Sequence, residues 1–270
     1  WILAQLDPEN SAYQIPAALK IQGPFPTEKL SSALAKLCAR HEVLHTNYPA
    51  DKTGQPRPQL STPRDPELKI LDLSHQKNQL NDELQKSAKK PFDLSQSPLL
   101  RVTLVKLAPK EHVILFVIPH LIGDAWSLRI LLRDFLALIQ EETLAPLPLQ
   151  YSDFAYHERQ QDYKDGLDYW TNQLADPPLS IDLPRDFPHQ IETSPEAKAI
   201  RFSLNLSETE ALNTLARSHD ATLFMTLLAS LNVLLYRYTG QRDLIVGSPV
   251  SHRPDPAWEE VVGMFVNTLA

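Results

Sequence analysis

The residues best suited to chemistry lie near the middle of the chain, where three residues separate His120 from Asp124. An imidazole exchanges a proton near neutral pH, so a positioned histidine can serve as a general base or as a hydrogen-bonding group. A carboxylate four residues further on can orient that histidine or cap a helix. The spacing alone fits a core histidine and an ordinary helix N-cap equally well, so the surrounding elements must decide.

The flanking elements place this pair at the end of a buried strand. Residues 113–118 form a continuous apolar run, which predicts a strand buried on both faces. Residues 126–139 carry apolar side chains at helical spacing, which predicts an amphipathic helix. His120 then stands where the strand ends and Asp124 stands near the helix start. Loops at such junctions often carry functional side chains, because the strand fixes what the loop exposes.

Composition limits the class of protein and its partners. The chain has 270 residues, a formal net charge of −7 and one cysteine, Cys38. The acidic balance argues against a nucleic-acid partner. A single cysteine excludes a disulfide framework, and its place in a helical pattern predicts a core residue. The sequence contains no recognisable signal peptide and no apolar run suited to span a bilayer, so we expect a cytoplasmic protein without a membrane partner.

The order of elements predicts an α/β protein, with α+β layers, in two lobes. The expected boundaries are residues 1–175 for the N-terminal lobe, 176–197 for a Pro-rich linker and 198–270 for the first part of a second lobe. In the second lobe we expect a strand over residues 199–204 and a helix opened by a capping box from Ser207 to Glu210. The chain starts without methionine and stops after an apolar run, so we expect a fragment of a longer polypeptide.

Six stretches, in this order, resemble the condensation domains of nonribosomal peptide synthetases, within the chloramphenicol acetyltransferase-like superfamily. Residues 40–46 are similar to the R-H-E-x-L-R-T motif, and residues 119–127 align with H-H-x-x-x-D-G-x-S. Residues 262–268 resemble G-x-F-V-N-T. The remaining similar stretches are residues 91–101, 151–155 and 238–249. The resemblance covers the whole chain and implies two lobes that form a V with a tunnel between them, the second lobe being truncated.

The resemblance implies a reaction that forms an amide bond. The amine of an acceptor aminoacyl group would attack a donor acyl or peptidyl thioester. Each substrate would arrive on the 4'-phosphopantetheine arm of a donor or acceptor peptidyl carrier protein, and holding both reactants together would supply much of the acceleration. The domain itself would bind no cofactor, and an adenylation domain of the same synthetase would be its neighbour.

The resemblance also assigns roles to residues in and near the central motif. His120 would be the catalytic histidine, either accepting a proton from the attacking ammonium or positioning the amine, and the sequence leaves both roles open. Asp124, Arg40 and His45 would have structural roles that orient His120. Because His45 stands where the family motif has a second arginine, it is a candidate partner for Asp124.

Further positions follow from the same alignment. The backbone N–H of Ala125 would lie near the reacting carbonyl, as an oxyanion donor does. Trp170, Arg253 and Asn267 match family positions near the tunnel. We expect no metal site, because the histidines and carboxylates have no recognised ligand spacing.

Three departures from the family pattern keep other functions open. Pro119 replaces the first histidine of the doublet, Ala125 replaces the glycine, and His45 replaces the arginine. They allow a catalytically silent domain that binds carrier proteins or recruits a tailoring enzyme. An epimerisation domain is disfavoured by residues 262–268, and a heterocyclising variant by His120, which would be aspartate there. A free-standing acyltransferase that uses coenzyme A is a further alternative.

Overall fold

The structure, a computed structural model, describes residues 1–178, 180–186 and 199–270. These residues fall into two units. The first comprises Trp1–Gln161 with Pro249–Thr268, and the second comprises Asp162–Ser248 with Leu269–Ala270. Much of the expected Pro-rich linker, residues 176–197, lies outside the described residues.

The division differs from the expected lobe boundaries at both ends of the second lobe. The second unit begins at Asp162 rather than after residue 175, and the first unit includes Pro249–Thr268. The physical reason for the second difference is a buried apolar cluster. In it, Trp258, Val261 and Phe265 pack around Phe154. That packing removes apolar area from water and so joins this late segment to the first unit.

Helices account for most of the regular structure. The first unit contains α1 (Ile2–Leu6), α2 (Leu30–Arg40), α3 (Leu80–Lys89), α4 (Ala125–Ile139) and α5 (Tyr151–Glu158), and the second contains α6 (Lys164–Gln173), α7 (Leu206–Ser218) and α8 (Leu223–Thr239). The strands are β1 (Gln14–Gln22), β2 (Thr46–Asn47), β3 (Gln59–Leu60), β4 (Glu67–Asp72), β5 (Arg101–Ala108), β6 (Glu111–Pro119), β7 (Ser248–Ser251) and β8 (Val266–Leu269).

Strand β6 is at the centre of the first unit. The main sheet has the order β1-β6-β5-β4, in which β6 is antiparallel to both neighbours and β4 is parallel to β5. Every residue of β6 after Glu111 is buried. This confirms the buried strand predicted from the apolar run. On one face Phe116 meets Phe135 of α4 edge to face, with ring centroids 4.9 Å apart, a favoured aromatic geometry.

The predicted α4 helix is confirmed, and so is the core position of Cys38. The apolar face of α4 includes Ile130, Leu131 and Phe135, all buried in the main core. Cys38 on α2 is fully buried in the same core. Burial, followed by the nearby charge of Asp65, raises the pKa of its thiol to about 12. A thiol with so high a pKa is a poor nucleophile, as expected for a residue that fills space.

A buried carboxylate joins α4 to the end of α2. Asp134 is fully buried and accepts hydrogen bonds from Arg40 Nε at 2.8 Å and from His41 Nε2 at 3.1 Å. Its second oxygen accepts from Arg133 Nη2 at 2.8 Å. Arg40 also donates to the carbonyl of Ala145 at 2.6 Å. These contacts satisfy both carboxylate oxygens, so the charge can remain in the interior.

The environment shifts the pKa values of both acidic and basic members of this cluster. Burial opposes the ionisation of Asp134, but hydrogen bonds from His41, Arg40 and Arg133 outweigh it and hold the pKa of this carboxyl well below its usual range. Burial lowers the pKa of His41, more than its hydrogen bond to Asp134 raises it. The cluster is therefore an ionised carboxylate held by two guanidinium groups and a neutral imidazole.

The second unit corrects two expectations. Residues 199–204 do not form a strand. The capping box that opens α7 lies two residues earlier than expected, because Asn205, not Ser207, caps the helix. Its side chain accepts from Glu208 N at 2.9 Å, and Glu208 Oε2 accepts from Asn205 N at 2.8 Å.

Among the described residues, no single helix has the length and apolar character needed to cross a membrane. The pair Leu206–Ser218 and Leu223–Thr239 reaches that criterion together on length and composition alone, with a bend of 100° between the two helices.

We expect Asp134→Ala to lower the free energy of unfolding by about 3–5 kcal/mol, because it leaves the buried His41 and the half-buried Arg40 without their acceptor. Urea denaturation followed by circular dichroism measures the change. The control is Asp72→Ala, which removes an exposed carboxylate that pairs with Lys106 at 3.3 Å and should change the midpoint little. A loss below about 1 kcal/mol for Asp134→Ala would show that the cluster contributes little to stability.

We also expect the stability to fall as the pH drops below about 6.5, the ordinary histidine value. His41 has a lowered pKa in the folded protein, so the unfolded chain binds the proton first and is favoured by acid. Urea midpoints measured between pH 8 and pH 5.5 test this. His41→Gln should flatten the profile, whereas His75→Gln, a change at an exposed turn, should leave it unaltered. Identical slopes for wild type and His41→Gln would contradict the assignment.

Candidate active site

His120 follows directly on the last residue of β6 and begins a single 3-10 turn, His120–Ile122. Its backbone N–H donates to the carbonyl of Tyr13 at 2.7 Å, which continues the ladder between β1 and β6 by one bond. Its side chain is half-buried, and among the described residues its Nδ1 has no hydrogen-bond partner. The strand thus fixes the backbone of His120 and leaves its imidazole partly exposed.

Asp124 is the N-cap of α4. One carboxylate oxygen accepts from Ser127 N at 2.8 Å, and the other accepts from Phe265 N at 3.3 Å. Asp124 is 1% exposed. An N-cap satisfies a helix donor that has no partner within the helix. Here the same carboxylate also holds a segment from far along the chain, and it points at backbone groups rather than at His120.

The cationic partner of Asp124 is Arg253, at 3.8 Å between Nη2 and Oδ1. The hypothesis that His45 is this partner is wrong, because His45 Nδ1 lies 2.7 Å from the carbonyl of Ser61. Arg40 does not contact Asp124 either, since it binds Asp134 near the other end of α4. Residues 40–46 thus contact the C-terminal half of α4, at Asp134. The arginine beside the N-terminal end of α4 is Arg253, which comes from the segment Pro249–Thr268.

Arg253 packs on Phe265 and is not among the residues that line the cavity beside His120. Its guanidinium carbon is 3.7 Å from the centroid of the Phe265 ring. It donates to the carbonyls of Trp258 and Val261. Burial lowers the pKa of this guanidinium, and the charge of Asp124 opposes that shift. Arg253 therefore stabilises the 258–265 backbone and balances the buried charge of Asp124.

Hydrogen bonds from the first unit's helices attach the 258–265 segment. Ser127 Oγ donates to the carbonyl of Gly263 at 2.7 Å and accepts from its N–H at 3.0 Å. Tyr151 Oη donates to the carbonyl of Met264 at 2.7 Å. A Cβ at Gly263 would lie 1.9 Å from a ring carbon of Tyr151. Glycine is required there because the backbone and the aromatic ring are in close contact.

The structure explains why two departures from the family motif fit locally. Pro119 has φ −71°, an ordinary proline value, at the end of β6. Ala125 is the first residue of α4 and does not have a positive φ, so it does not need glycine. At this first position its N–H has no acceptor within the helix. At Gly123 a Cβ would lie 2.9 Å from Ile118 Cδ1, so a larger residue there would require the end of the Ile118 side chain to shift.

A cavity of about 270 Å³ lies beside His120. Aromatic and aliphatic side chains form most of its wall, and Asn10, Tyr13 and Gln14 supply polar groups. The lining residues are Trp1, Leu3, Ala4, Pro8, Asn10, Tyr13, Gln14, Phe92, Leu94, Pro119, His120, Leu121 and Met264. A mainly apolar pocket with a few polar groups and one titratable side chain suits the binding of an organic substrate.

The remaining expected residues lie in different places. Asn267 is exposed and lines a second cavity in the first unit, where its Oδ1 accepts from Thr268 N at 2.9 Å. Trp170 is on α6 in the second unit and packs edge to face with Tyr169, with ring centroids 5.2 Å apart. Within the described ranges, no three histidine, cysteine or acidic side chains are grouped so that they could hold a metal ion.

Sequence reasoning missed the residues that form the cavity and attach the 258–265 segment. Ser127 and Tyr151 belong to quoted motifs, but a hydroxyl gives no sign in the sequence of which backbone group it binds. Met264 and Phe92 reach the cavity wall from separate parts of the chain, and no periodicity relates them. Gly263 was the one available signal, because an isolated glycine in a strand-like run indicates close contact with another group.

Comparisons with known proteins identify the family of the chain. A family model described as Condensation domain matches residues 1–270. The chain is 37% identical over 289 residues to phosphinothricin tripeptide synthetase PhsC of Streptomyces viridochromogenes. That match covers 100% of this chain and 26% of the synthetase, so the chain spans about a quarter of this relative.

Solved structures share the fold. The X-domain in its complex with OxyB from teicoplanin biosynthesis has a TM-score of 0.86 at 26% identity, over 100% of this chain and 62% of that chain. Holo-AB3403, a four-domain nonribosomal peptide synthetase bound to AMP and glycine, has a TM-score of 0.85 at 26% identity, over 100% and 21%. The expected chloramphenicol acetyltransferase-like α/β fold is confirmed, and the chain belongs to the condensation-domain family of nonribosomal peptide synthetases.

Proposed function

We propose that this chain catalyses amide bond formation between a donor acyl or peptidyl thioester and the amine of an acceptor aminoacyl group. The observation that carries the proposal is the position of His120, at the end of a buried strand and in the wall of an apolar cavity. The imidazole is partly exposed and belongs to a residue that lines this cavity. A histidine held in this way can exchange a proton with a bound amine or orient that amine by a hydrogen bond.

The substrates in this proposal are attached to carrier proteins. Membership of the family supports donor and acceptor peptidyl carrier proteins as partners, each with a 4'-phosphopantetheine arm, and an adenylation domain of the same synthetase as a neighbour. The domain needs no cofactor of its own for this reaction, because the thioester is already activated. Its main contribution is to hold the amine at attack distance from the carbonyl.

Asp124 has a supporting role in this mechanism. Its carboxylate is occupied by two backbone N–H groups and faces Arg253. It therefore stabilises the loop that carries His120 and does not itself take the proton. The N–H of Ala125, at the first position of α4, is the backbone group in this loop best suited to bind the carbonyl oxygen as negative charge develops.

A catalytically silent domain that binds a partner is the second candidate. One specific observation favours it: the teicoplanin X-domain, which has the same fold, was solved in a complex with OxyB. Pro119, Ala125 and His45 replace residues of the family motifs, as a domain released from catalysis would allow. The two candidates make opposite predictions for transfer of the acyl group.

The first test is a single-turnover assay on the intact parent protein, with carrier proteins loaded with donor and acceptor groups and the acceptor arm followed by mass spectrometry. Wild type should add the donor mass to the acceptor. His120→Ala should lower the rate by at least about 100-fold, the usual contribution of a general acid–base group. His75→Ala, at an exposed turn, is the matched control and should keep the wild-type rate.

If the donor stays on its own carrier in wild type as well, while both carriers still bind, amide formation is excluded and the silent domain replaces it. If transfer occurs but His120→Ala retains it, the reaction stands and the assignment of His120 fails.

A second prediction separates the role of Asp124 from that of His120. Asp124→Asn keeps one acceptor oxygen but loses the other, so a buried N–H is left without an acceptor. We expect the free energy of unfolding to fall by about 1–3 kcal/mol. The rate of acyl transfer should fall as well. The pH at which this rate is half-maximal should be the same as in wild type.

The pH–rate profile of Asp124→Asn, compared with its urea midpoint, provides the measurement. Asp153→Asn is a suitable control, because Asp153 also accepts a backbone N–H near a helix start, at 2.8 Å, but at an exposed position. A profile that loses a titrating step in Asp124→Asn would instead make Asp124 a proton-transfer group.

A further inference from the structure

Two cavities of the first unit have one lining residue in common. The cavity beside His120 has a volume of about 270 Å³, and a second cavity has a volume of about 360 Å³. Their lining sets share a single residue, Met264. Met264 is half-buried and contributes to the wall of both cavities.

The two cavities differ in chemical character. Around the first, the wall beside His120 is formed mainly by apolar side chains such as Leu3, Phe92 and Leu121. The second contains charged and polar side chains, among them Glu158, Arg159 and His252. His252 Nε2 and Glu158 Oε1 lie 3.0 Å apart. Aromatic and aliphatic side chains also line the second cavity. Because it carries charged groups that the first cavity lacks, an apolar group is better accommodated in the first.

The backbone at Met264 is held on both sides. Gly263 exchanges two hydrogen bonds with Ser127 Oγ. The carbonyl of Met264 accepts from Tyr151 Oη at 2.7 Å, and the N–H of Phe265 donates to Asp124 at 3.3 Å. With four hydrogen bonds to buried or half-buried side chains, this stretch of backbone is fixed. The position of the Met264 side chain then depends only on its own rotamers.

We propose that Met264 determines specificity, by limiting the length of the apolar substrate group that the cavity beside His120 accepts. This inference rests on the proposed function for the nature of the ligand, an acyl or aminoacyl group carried by pantetheine. An unbranched apolar chain or aromatic side chain fills the cavity until it meets Met264. Beyond Met264 lies the cavity that carries charged side chains, where further apolar atoms gain less.

The test uses pantetheine amides with straight acyl chains of increasing length, titrated into the intact parent protein by calorimetry. An amide replaces the thioester, so no reaction is needed for the readout. Affinity should rise by about fourfold for each added methylene that is buried, and then level off at one chain length. Met264→Ala removes three heavy atoms beyond Cβ, so the levelling-off should move to chains longer by two or three carbons.

Met264→Phe is the opposite variant and should move the levelling-off to shorter chains, so the test stands if one of the two variants fails to fold. Met264→Leu, of similar volume, should leave it unchanged. Met225→Ala is the matched control, because Met225 is the other methionine of the chain, is exposed on α8 and lines neither cavity.

The same chain-length limit in wild type, Met264→Ala and Met264→Phe would overturn the inference, as would a wild type whose affinity does not depend on chain length. The outcome of the single-turnover assay is independent of the outcome of this binding measurement. A protein that forms no amide but whose length limit moves with Met264 would contradict the proposed function and support the role of Met264 in binding.

Discussion

The structure around His120 depends on one buried carboxylate, Asp124. Taking an ion out of water is costly, and the protein offsets the cost with two backbone N–H groups and the Arg253 guanidinium. Those partners come from the first turn of α4 and from the late segment that includes Phe265. Satisfying one charge therefore requires that the two parts of the chain meet in a single register. The cavity wall at Met264 follows from that register, because Met264 adjoins Phe265.

A second buried carboxylate, Asp134, joins two distant parts of the chain in the same way, in the C-terminal half of α4. It joins this helix to Arg40 and His41 at the end of α2. Helix α4 is thus attached by a charge near each end, while its apolar face packs on β6 through Phe135. Apolar packing alone would allow the helix to slide or rotate, because it has little directionality. The hydrogen bonds of the two carboxylates are directional, so they hold α4 in one position. Its N-terminus therefore stays at the end of the strand that carries His120.

The local elements on either side of His120 could be predicted from the sequence, whereas the expected strand over residues 199–204 was wrong and the contacts between distant elements could not be predicted. The apolar run before His120 and the helical spacing after Asp124 each describe one element, and both elements were found. The partner of Asp124 was assigned to His45 because a familiar motif contained an arginine at that position. Arg253 is remote in sequence, and only the packing of the 258–265 segment on Phe154 brings it close. The first unit includes Pro249–Thr268 for the same reason, and no period in the sequence indicates such aromatic packing between distant segments.

The residues that differ from the family motif fit the backbone positions they occupy. Pro119 has φ −71° at the end of β6, and Ala125 takes the first helical position of α4, where no positive φ is needed. Gly263, a glycine of the 262–268 motif, has no room for a side chain, because a Cβ there would lie 1.9 Å from a ring carbon of Tyr151. That glycine is a requirement of packing, which holds for any function of the domain. The substitutions at positions 119 and 125 are therefore compatible with the backbone that carries His120.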